Sequence, residues 1–161
     1  MTTPLHHAVW KGHIDATKLL IEQGADVNAK DKFDRTLLHR VSWIGSTDAI
    51  RLLIDHGADV NAKNKWDETP LHYASEYGHI EAMKLLIEHG ADVNANAKNK
   101  GDNTPLHWAS QYGHTDAIAL LRANGADINA KNKWGRTPLH DASLNSHTNA
   151  IALLREHGAI E

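Results

Sequence analysis

Apolar residues recur along the chain in short clusters with the spacing of amphipathic helices. From His79 to Ile87 they return every three or four positions, which predicts a helix with one buried face. A shorter helix is predicted before it, from about Pro70 to Tyr77. Gly78 separates the two and Gly90 follows the second, because glycine readily takes the left-handed conformation that ends a helix. The pattern therefore predicts a pair of helices followed by a polar turn.

This helix pair is repeated along the whole chain. The tetrapeptide Thr-Pro-Leu-His, hereafter the motif, begins at Thr3, Thr69, Thr104 and Thr137, and a Thr-Leu-Leu-His variant begins at Thr36. Thr before Pro is typical of a helix start, because the hydroxyl can accept a hydrogen bond from a free backbone N–H and Pro has no N–H to satisfy. The string Gly-Ala-Asp-Val-Asn-Ala, or a shorter or Ile-containing form of it, follows each pair and begins at Gly24, Gly57, Gly90, Gly125 and Gly158.

Successive motifs lie 33 residues apart, except for one step of 35 residues where Asn94-Ala95-Asn96-Ala97 doubles the usual Asn-Ala. These residues closely resemble the ankyrin repeat, and the resemblance covers the entire chain. It implies an all-α solenoid of stacked helix-turn-helix units with projecting β-hairpin or turn fingers. We assign one ankyrin-repeat domain to residues 1–161, with repeats at about 1–30 (truncated), 31–63, 64–98 (two-residue loop insertion), 99–131 and 132–161.

Composition narrows the function further. The chain has no cysteine, which excludes disulfides, thiolate zinc sites and a cysteine nucleophile. Its net charge is -3, so the chain lacks the strongly basic surface expected of a dedicated nucleic-acid binder. The N-terminal residues contain no apolar run that would act as a secretory signal or membrane span. We expect a monomer in the cytoplasm, with the nucleus or secretion as an effector left open, and no membrane partner.

Thirteen histidines invite a metal or acid–base hypothesis. All but His7 recur at fixed places in the repeat: in the motif, at the start of the second helix, or before the Gly that closes it. The resemblance assigns the motif histidines to a hydrogen-bond network between units. Zinc-ligand spacings, a nucleophile elbow, a phosphate loop and a dinucleotide fingerprint are all absent from the sequence. We therefore expect no catalytic residue, no metal and no cofactor.

The asparagines of the Asp-Val-Asn string resemble sites that asparaginyl hydroxylases modify in ankyrin domains. These candidate hydroxylation sites are Asn28, Asn61, Asn94 and Asn129. The structural alternative, in which each Asn ties the base of a finger by side-chain hydrogen bonds, is favoured.

Residues that differ between the copies are the candidates for recognition. All nine Trp, Tyr and Phe residues occupy such variable positions. In the ankyrin family these positions lie on the fingertips and on the inner surface of the first helices, which together form a concave groove. For Tyr73 and Trp108, packing between units is an equal alternative. The predicted partner-binding residues are Trp10, Lys32, Phe33, Arg35, Trp43, Ile44, Lys65, Trp66, Glu68, Glu76, Tyr77, Lys100, Asn103, Gln111, Tyr112, Lys133, Trp134, Arg136 and Leu144.

Charge is segregated within each repeat. The fingers carry pairs of lysines, including Lys98 and Lys100, whereas the second helices carry much of the acid. The simpler explanation is that these lysines keep the exposed turns solvated. The functional explanation is that they form a groove that prefers an acidic partner. We expect a non-catalytic module that binds a peptide or folded protein surface. The alternatives are binding of nucleic acid or another polyanion, and a regulatory arm of a larger enzyme or channel, of which this chain would be a fragment.

Overall fold

The computed structural model describes residues 3–96 and 101–160. Within these ranges the chain forms five helix pairs and no β-strand, which confirms the all-α repeat architecture. None of these helices is long and apolar enough to cross a membrane. We call the odd-numbered helices first helices and the even-numbered ones second helices. They are α1 (Pro4–Trp10), α2 (Ile14–Glu22), α3 (Leu37–Ile44), α4 (Thr47–Asp55), α5 (Pro70–Glu76), α6 (Ile80–Glu88), α7 (Pro105–Gln111), α8 (Thr115–Ala123), α9 (Pro138–Leu144) and α10 (Thr148–Glu156).

The boundaries within a unit follow from cap chemistry. Helix α5 begins after the N-cap Thr69 and ends before the C-cap Tyr77. Gly78 then has a φ of +66°, the left-handed conformation predicted for it. His79 is the N-cap of α6. The predicted end of the first helix and the predicted start of the second each included a cap residue, and the second helix continues one residue past its predicted end, to Glu88. The predicted order of short helix, glycine and longer helix is confirmed.

First helices pack on first helices of the next unit and second helices on second helices. The motif leucines Leu37, Leu71 and Leu106 are fully buried, as are Ile50 and Ile118 of the second helices. Burial of each such side chain stabilises the fold by about 1.5–3 kcal/mol. Because each unit covers the apolar face of its neighbour, the core runs continuously through the stack.

The motif histidines form one of three hydrogen-bonded joints between units. Nδ1 of His39 accepts from the backbone N–H of Thr36 at 3.1 Å, so the ring proton lies on Nε2. Nε2 then donates to the carbonyl oxygen of Glu68 in the next unit at 2.9 Å. The corresponding bonds of His72 and His107 are 3.1 Å and 3.0 Å long. The network that the resemblance implied is therefore present in these units.

A second row of histidines holds the ends of the first helices. Nε2 of His79 donates to the carbonyl oxygen of Trp43 in the preceding unit at 3.1 Å. His114 and His147 make the same bond to the carbonyl oxygens of Glu76 and Gln111, both at 2.9 Å. Each bond fixes the point where a first helix presents its last, variable side chains.

The asparagines of the Asp-Val-Asn string form the third joint. Asn61 accepts from the N–H of Asp92 at 2.8 Å and donates to the carbonyl oxygen of Gly90 at 2.9 Å. The same pair of bonds is made by Asn28, Asn94 and Asn129. These bonds give each Asn a structural role between neighbouring units, and hydroxylation of the four residues stays a prediction.

Candidate functional site

Three of the fingers between helix pairs are tight turns, each held by a polar side chain at its base. The carboxylate of Asp31 accepts from the N–H groups of Phe33 and Arg35 at 2.8 Å and 3.0 Å. Asn64 and Asn132 occupy the equivalent place and make the equivalent bonds. Such side-chain bonds to backbone two residues ahead are typical of Asp and Asn in turns. They fix the backbone at the third residue of each of these turns, Phe33 in the first case.

Aromatic rings cover the fingertips and are accompanied by cations. The rings of Phe33 and Trp66 stack with their centroids 5.6 Å apart. Lys32 lies 4.9 Å from the Phe33 ring centroid, and Lys133 lies 4.6 Å from that of Trp134. The Trp134 ring lies over Gly101, where any β-carbon would overlap it. Glycine thus replaces an aromatic residue in one finger and makes room for the ring of the next.

The ends of the first helices present a second row of rings. Trp10, Trp43, Tyr77 and Tyr112 leave 40%, 36%, 46% and 43% of their surface exposed. Trp43 and Tyr77, from neighbouring units, meet edge to face with centroids 6.0 Å apart. We call these four rings, together with Phe33, Trp66 and Trp134 of the fingers, the aromatic face.

The remaining predicted contact residues divide by exposure. Ile44 and Leu144 are exposed, as are Lys32, Lys65, Lys133 and Arg136, whereas Arg35, Glu76 and Gln111 are half-buried. Arg35 is engaged with Asp31, at 2.7 Å between Nη2 and Oδ2. Lys98 and Lys100 lie outside the described residues.

Glu68 and Asn103 occupy a different environment from the other predicted contacts. They are only 4% and 6% exposed. Glu68 accepts from Asn64 and from the Tyr73 hydroxyl, both at 2.9 Å, and Asn103 accepts from Asn132 at 2.9 Å. Because their side chains already serve the bases of the fingers, we leave both out of the proposed contact set.

The residue after each motif histidine differs most between units. Trp108 is 5% exposed and packs in the core, which favours the structural alternative for it. Tyr73 is half-buried, and burial followed by the charge of Glu68 raises the pKa of its hydroxyl. Asp141 is 6% exposed, and burial raises its pKa to about 6. Arg40 alone brings a cation to this position and lies on the wall of a pocket.

That pocket lies at the junction of the first three units. Its volume is about 330 Å³, and its lining includes Trp10, Arg40, Trp43 and Tyr77. Sequence reasoning identified the three rings and missed Arg40. The available signal was that Arg40 occupies one of the variable positions, where its positive charge sets it apart from Tyr73, Trp108 and Asp141.

The aromatic face is suited to binding through packing and charge. The imidazoles of His39, His72 and His107 are bound within the joints, and burial lowers the pKa of each. In residues 3–96 and 101–160, no three His, Asp or Glu side chains are grouped to hold a metal ion. Large exposed rings with few rotatable bonds, by contrast, are characteristic of interface hot spots.

Comparison with known families agrees with this geometry. A family model described as ankyrin repeats (3 copies) matches residues 5–97 and 94–160. Comparison with curated proteins gives no significant match.

Proposed function

The chain belongs to the ankyrin-repeat family, and we propose that it binds another protein in a concave groove formed by its fingers and first helices, without catalysing a reaction. Ankyrin repeats are generally non-catalytic protein-interaction modules. The finer proposal assigns the contact surface to the aromatic face. The family relationship leaves the identity of the partner open, because function depends on the residues displayed on a fold.

The observation that carries this proposal is the row of exposed rings on successive first helices. Trp10, Trp43, Tyr77 and Tyr112 each expose more than a third of their surface, although aromatic side chains gain most from burial. For Trp43, Tyr77 and Tyr112 the local backbone is held by the histidine bonds to the carbonyl oxygens of Trp43, Glu76 and Gln111. A rigid array of exposed rings is suited to burial by a partner, because little side-chain freedom is then lost on binding.

A double variant tests the placement of the groove. Trp66→Ala with Tyr77→Ala removes one ring from a finger and one from a first helix while leaving the joints untouched. We expect a partner isolated by affinity pull-down, then purified, to bind this variant at least tenfold more weakly. Leu19→Ala is the matched control, because Leu19 is an exposed apolar residue on α2. Equal affinity of the double variant and the wild type would contradict the proposal.

Polyanion binding is the second candidate, favoured by the lysines beside the finger rings. It predicts binding of random single-stranded DNA that weakens steeply as salt is added. The pairing of Arg35 with Asp31 and the net charge of -3 argue against it. We expect no binding in a titration at low salt, and salt-sensitive binding would favour this candidate over a protein partner.

The proposal also covers the oligomeric state, the cellular location and the possibility of a larger protein. We propose a monomer acting in the cytoplasm, which light scattering of the purified chain and localisation of a tagged chain test. A regulatory arm of a larger enzyme or channel remains the third candidate. Sequencing the complete gene decides it, since a catalytic or channel domain in the same reading frame would support that reading.

A further inference from the structure

The pocket at the junction of the first three units has a cation at its wall. The guanidinium carbon of Arg40 lies 4.2 Å from the ring centroid of Trp43 and 5.4 Å from that of Trp10. Contact with two indole rings restrains the guanidinium group, while its N–H donors still point outward in its own plane. This arrangement prepares the group to bind an anion.

Arg40 has no anionic partner among the described residues. Within the described part of the chain it forms no ion pair, and its Nε is buried without a hydrogen bond. The nearest finger carboxylate, Asp31, is already bound by Arg35. Burial, followed by repulsion from Arg35, lowers the pKa of Arg40, with no carboxylate acting in the opposite direction. An unpaired buried donor on a charged group is destabilising, so a ligand that pairs with it removes that penalty.

A second unpaired donor lines the same pocket. His6 is 3% exposed, and its Nδ1 accepts from the backbone N–H of Thr3 at 3.3 Å. Its proton therefore lies on Nε2, which is buried without a partner, whereas Nε2 of His39 reaches the next finger. The unsatisfied polar atoms of this pocket are thus both donors, which favours an acceptor as the ligand.

We propose that this pocket binds the carboxylate of a Glu or Asp side chain on a partner segment, with Arg40 as its main anchor. The inference rests on the proposed function and names the chemistry of one contact within it. An apolar neighbour of that acidic residue would pack against the exposed rings of Trp43 and Tyr77. A carboxylate and a guanidinium fit as a bidentate pair. A volume of about 330 Å³ suits one or two side chains.

Charge favours a carboxylate over a phosphate group. The pocket offers one unpaired cation, and Asp31 and Glu76 also contribute to its lining. A phosphate carries about -1.5 to -2 charges at neutral pH, so one Arg would leave part of its charge uncompensated beside two carboxylates. A single carboxylate matches the single cation.

Selection from a random peptide library tests the proposal. A library of random twelve-residue peptides displayed on phage is selected against the full chain. We expect the enriched peptides to contain Glu or Asp next to an apolar residue. The best peptide is then synthesised with its acidic residue unchanged, replaced by the neutral amide, or replaced by phosphoserine. Affinity is read from the change in the tryptophan fluorescence of the chain, to which Trp10 and Trp43 beside Arg40 contribute, with peptides that lack Trp and Tyr.

Three protein variants identify the anchor. Arg40→Gln should weaken the acidic peptide at least tenfold, and Arg40→Lys should weaken it less. Arg51→Gln is the matched control, since it removes the same charge from the exposed surface of α4 in the same unit. The amide peptide should bind the wild type as weakly as the acidic peptide binds Arg40→Gln. Combining both changes should cause little further loss, as expected for two halves of one contact. Thermal unfolding verifies that each variant is folded.

The outcomes separate this inference from the proposed function. Peptides that bind through Trp66 and Tyr77 but are unaffected by Arg40→Gln would overturn the carboxylate site and leave the groove in place. Stronger binding of the phosphoserine peptide would overturn the carboxylate assignment in favour of a phosphopeptide. If no peptide is enriched over an unrelated protein, the groove and its anchor both fail.

Discussion

At the joints made by His39, His72 and His107, polar side chains are buried and bonded, whereas along the aromatic face large side chains are exposed and the adjacent Arg40 has no ion pair within the described residues. His72 is 2% exposed and uses both ring nitrogens. Tyr77 is 46% exposed, and Arg40 leaves a buried N–H unpaired. In the inner units the motif histidines thus find their partners within the fold, whereas the exposed variable residues are left to interact with something outside it.

The motif histidines themselves show the same contrast between bonded and unbonded side chains. His39, His72 and His107 each donate to the next finger, but His140 is exposed and His6 has a buried Nε2 without a partner. A repeated residue is therefore stabilising only where a neighbouring unit supplies its acceptor. Position in the stack decides what an identical sequence motif contributes.

Acidification should lower the free energy of unfolding more than any of the single substitutions below. Burial lowers the pKa of His39 and His72 from 6.5 to about 4 in the fold. The unfolded chain therefore binds more protons between pH 6.5 and pH 4, so the free energy of unfolding falls as the pH falls through this range. For these two residues the loss between pH 8 and pH 5 is about 4 kcal/mol. Urea unfolding followed by circular dichroism at both pH values measures it.

The aromatic face supplies the control for this pH dependence. Nearby carboxylates favour the protonated imidazoles and therefore oppose the lowering of their pKa without reversing it. Glu68 acts on both His39 and His72, and Asp31 acts on His39. The Tyr77→Ala variant leaves them unchanged and should show the wild-type dependence. Equal free energies of unfolding at pH 8 and pH 5 in the wild type would show that the joints do not depend on neutral imidazoles.

Removing one joint histidine should have the next largest effect. His72→Ala leaves the carbonyl oxygen of Asn103 and the N–H of Thr69 without partners in a buried site. We expect it to lower the free energy of unfolding by about 2–3 kcal/mol. His140→Ala changes the same motif residue in an exposed position, where the expected loss is below about 0.5 kcal/mol. Urea titrations of both variants at pH 8 make the comparison, and similar losses would refute the role assigned to the neighbouring unit.

Substitutions at two glycines distinguish the cost of backbone strain from the cost of disturbing a histidine joint. Gly78 and Gly135 have φ values of +66° and +72°, so Ala at either position costs about 1–2 kcal/mol in backbone energy. A β-carbon at Gly78 would also lie 2.7 Å from Nδ1 of His114, whereas Gly135 has open space. We expect Gly78→Ala to lower the melting temperature more than Gly135→Ala. Equal shifts would mean that His114 moves aside at no cost.

The exposed asparagine joint should contribute least among the three. Asn61→Ala removes two hydrogen bonds at an exposed site, and we expect a loss of about 1 kcal/mol. On the aromatic face, Trp134→Ala removes a far larger side chain that is 57% exposed, yet we expect a loss below about 0.5 kcal/mol. A larger loss for Trp134→Ala in the same urea assay would show that this ring belongs to the framework.

Much of the fold was predictable because its determinants are local. Thr69, Pro70 and Gly78 mark the ends of α5 through cap chemistry that involves only nearby backbone. Periodicity identified the buried face of α6, and the regular spacing of the motif predicted the stacking. The site was less predictable. Glu68 and Asn103 were proposed as contacts because they vary between copies, but both are buried by bonds within and between fingers.

The sequence by itself determined the helix pairs, their period and the class of side chain at each place, because caps and periodicity act over only a few residues. The tertiary structure decided which of those side chains found a partner. His72 is bonded to a carbonyl oxygen 31 residues away, and the ring of Trp10 on α1 meets Arg40 of the neighbouring helix α3. Such contacts depend on how units stack, so the unpaired donors of the pocket are visible only after the stack is formed.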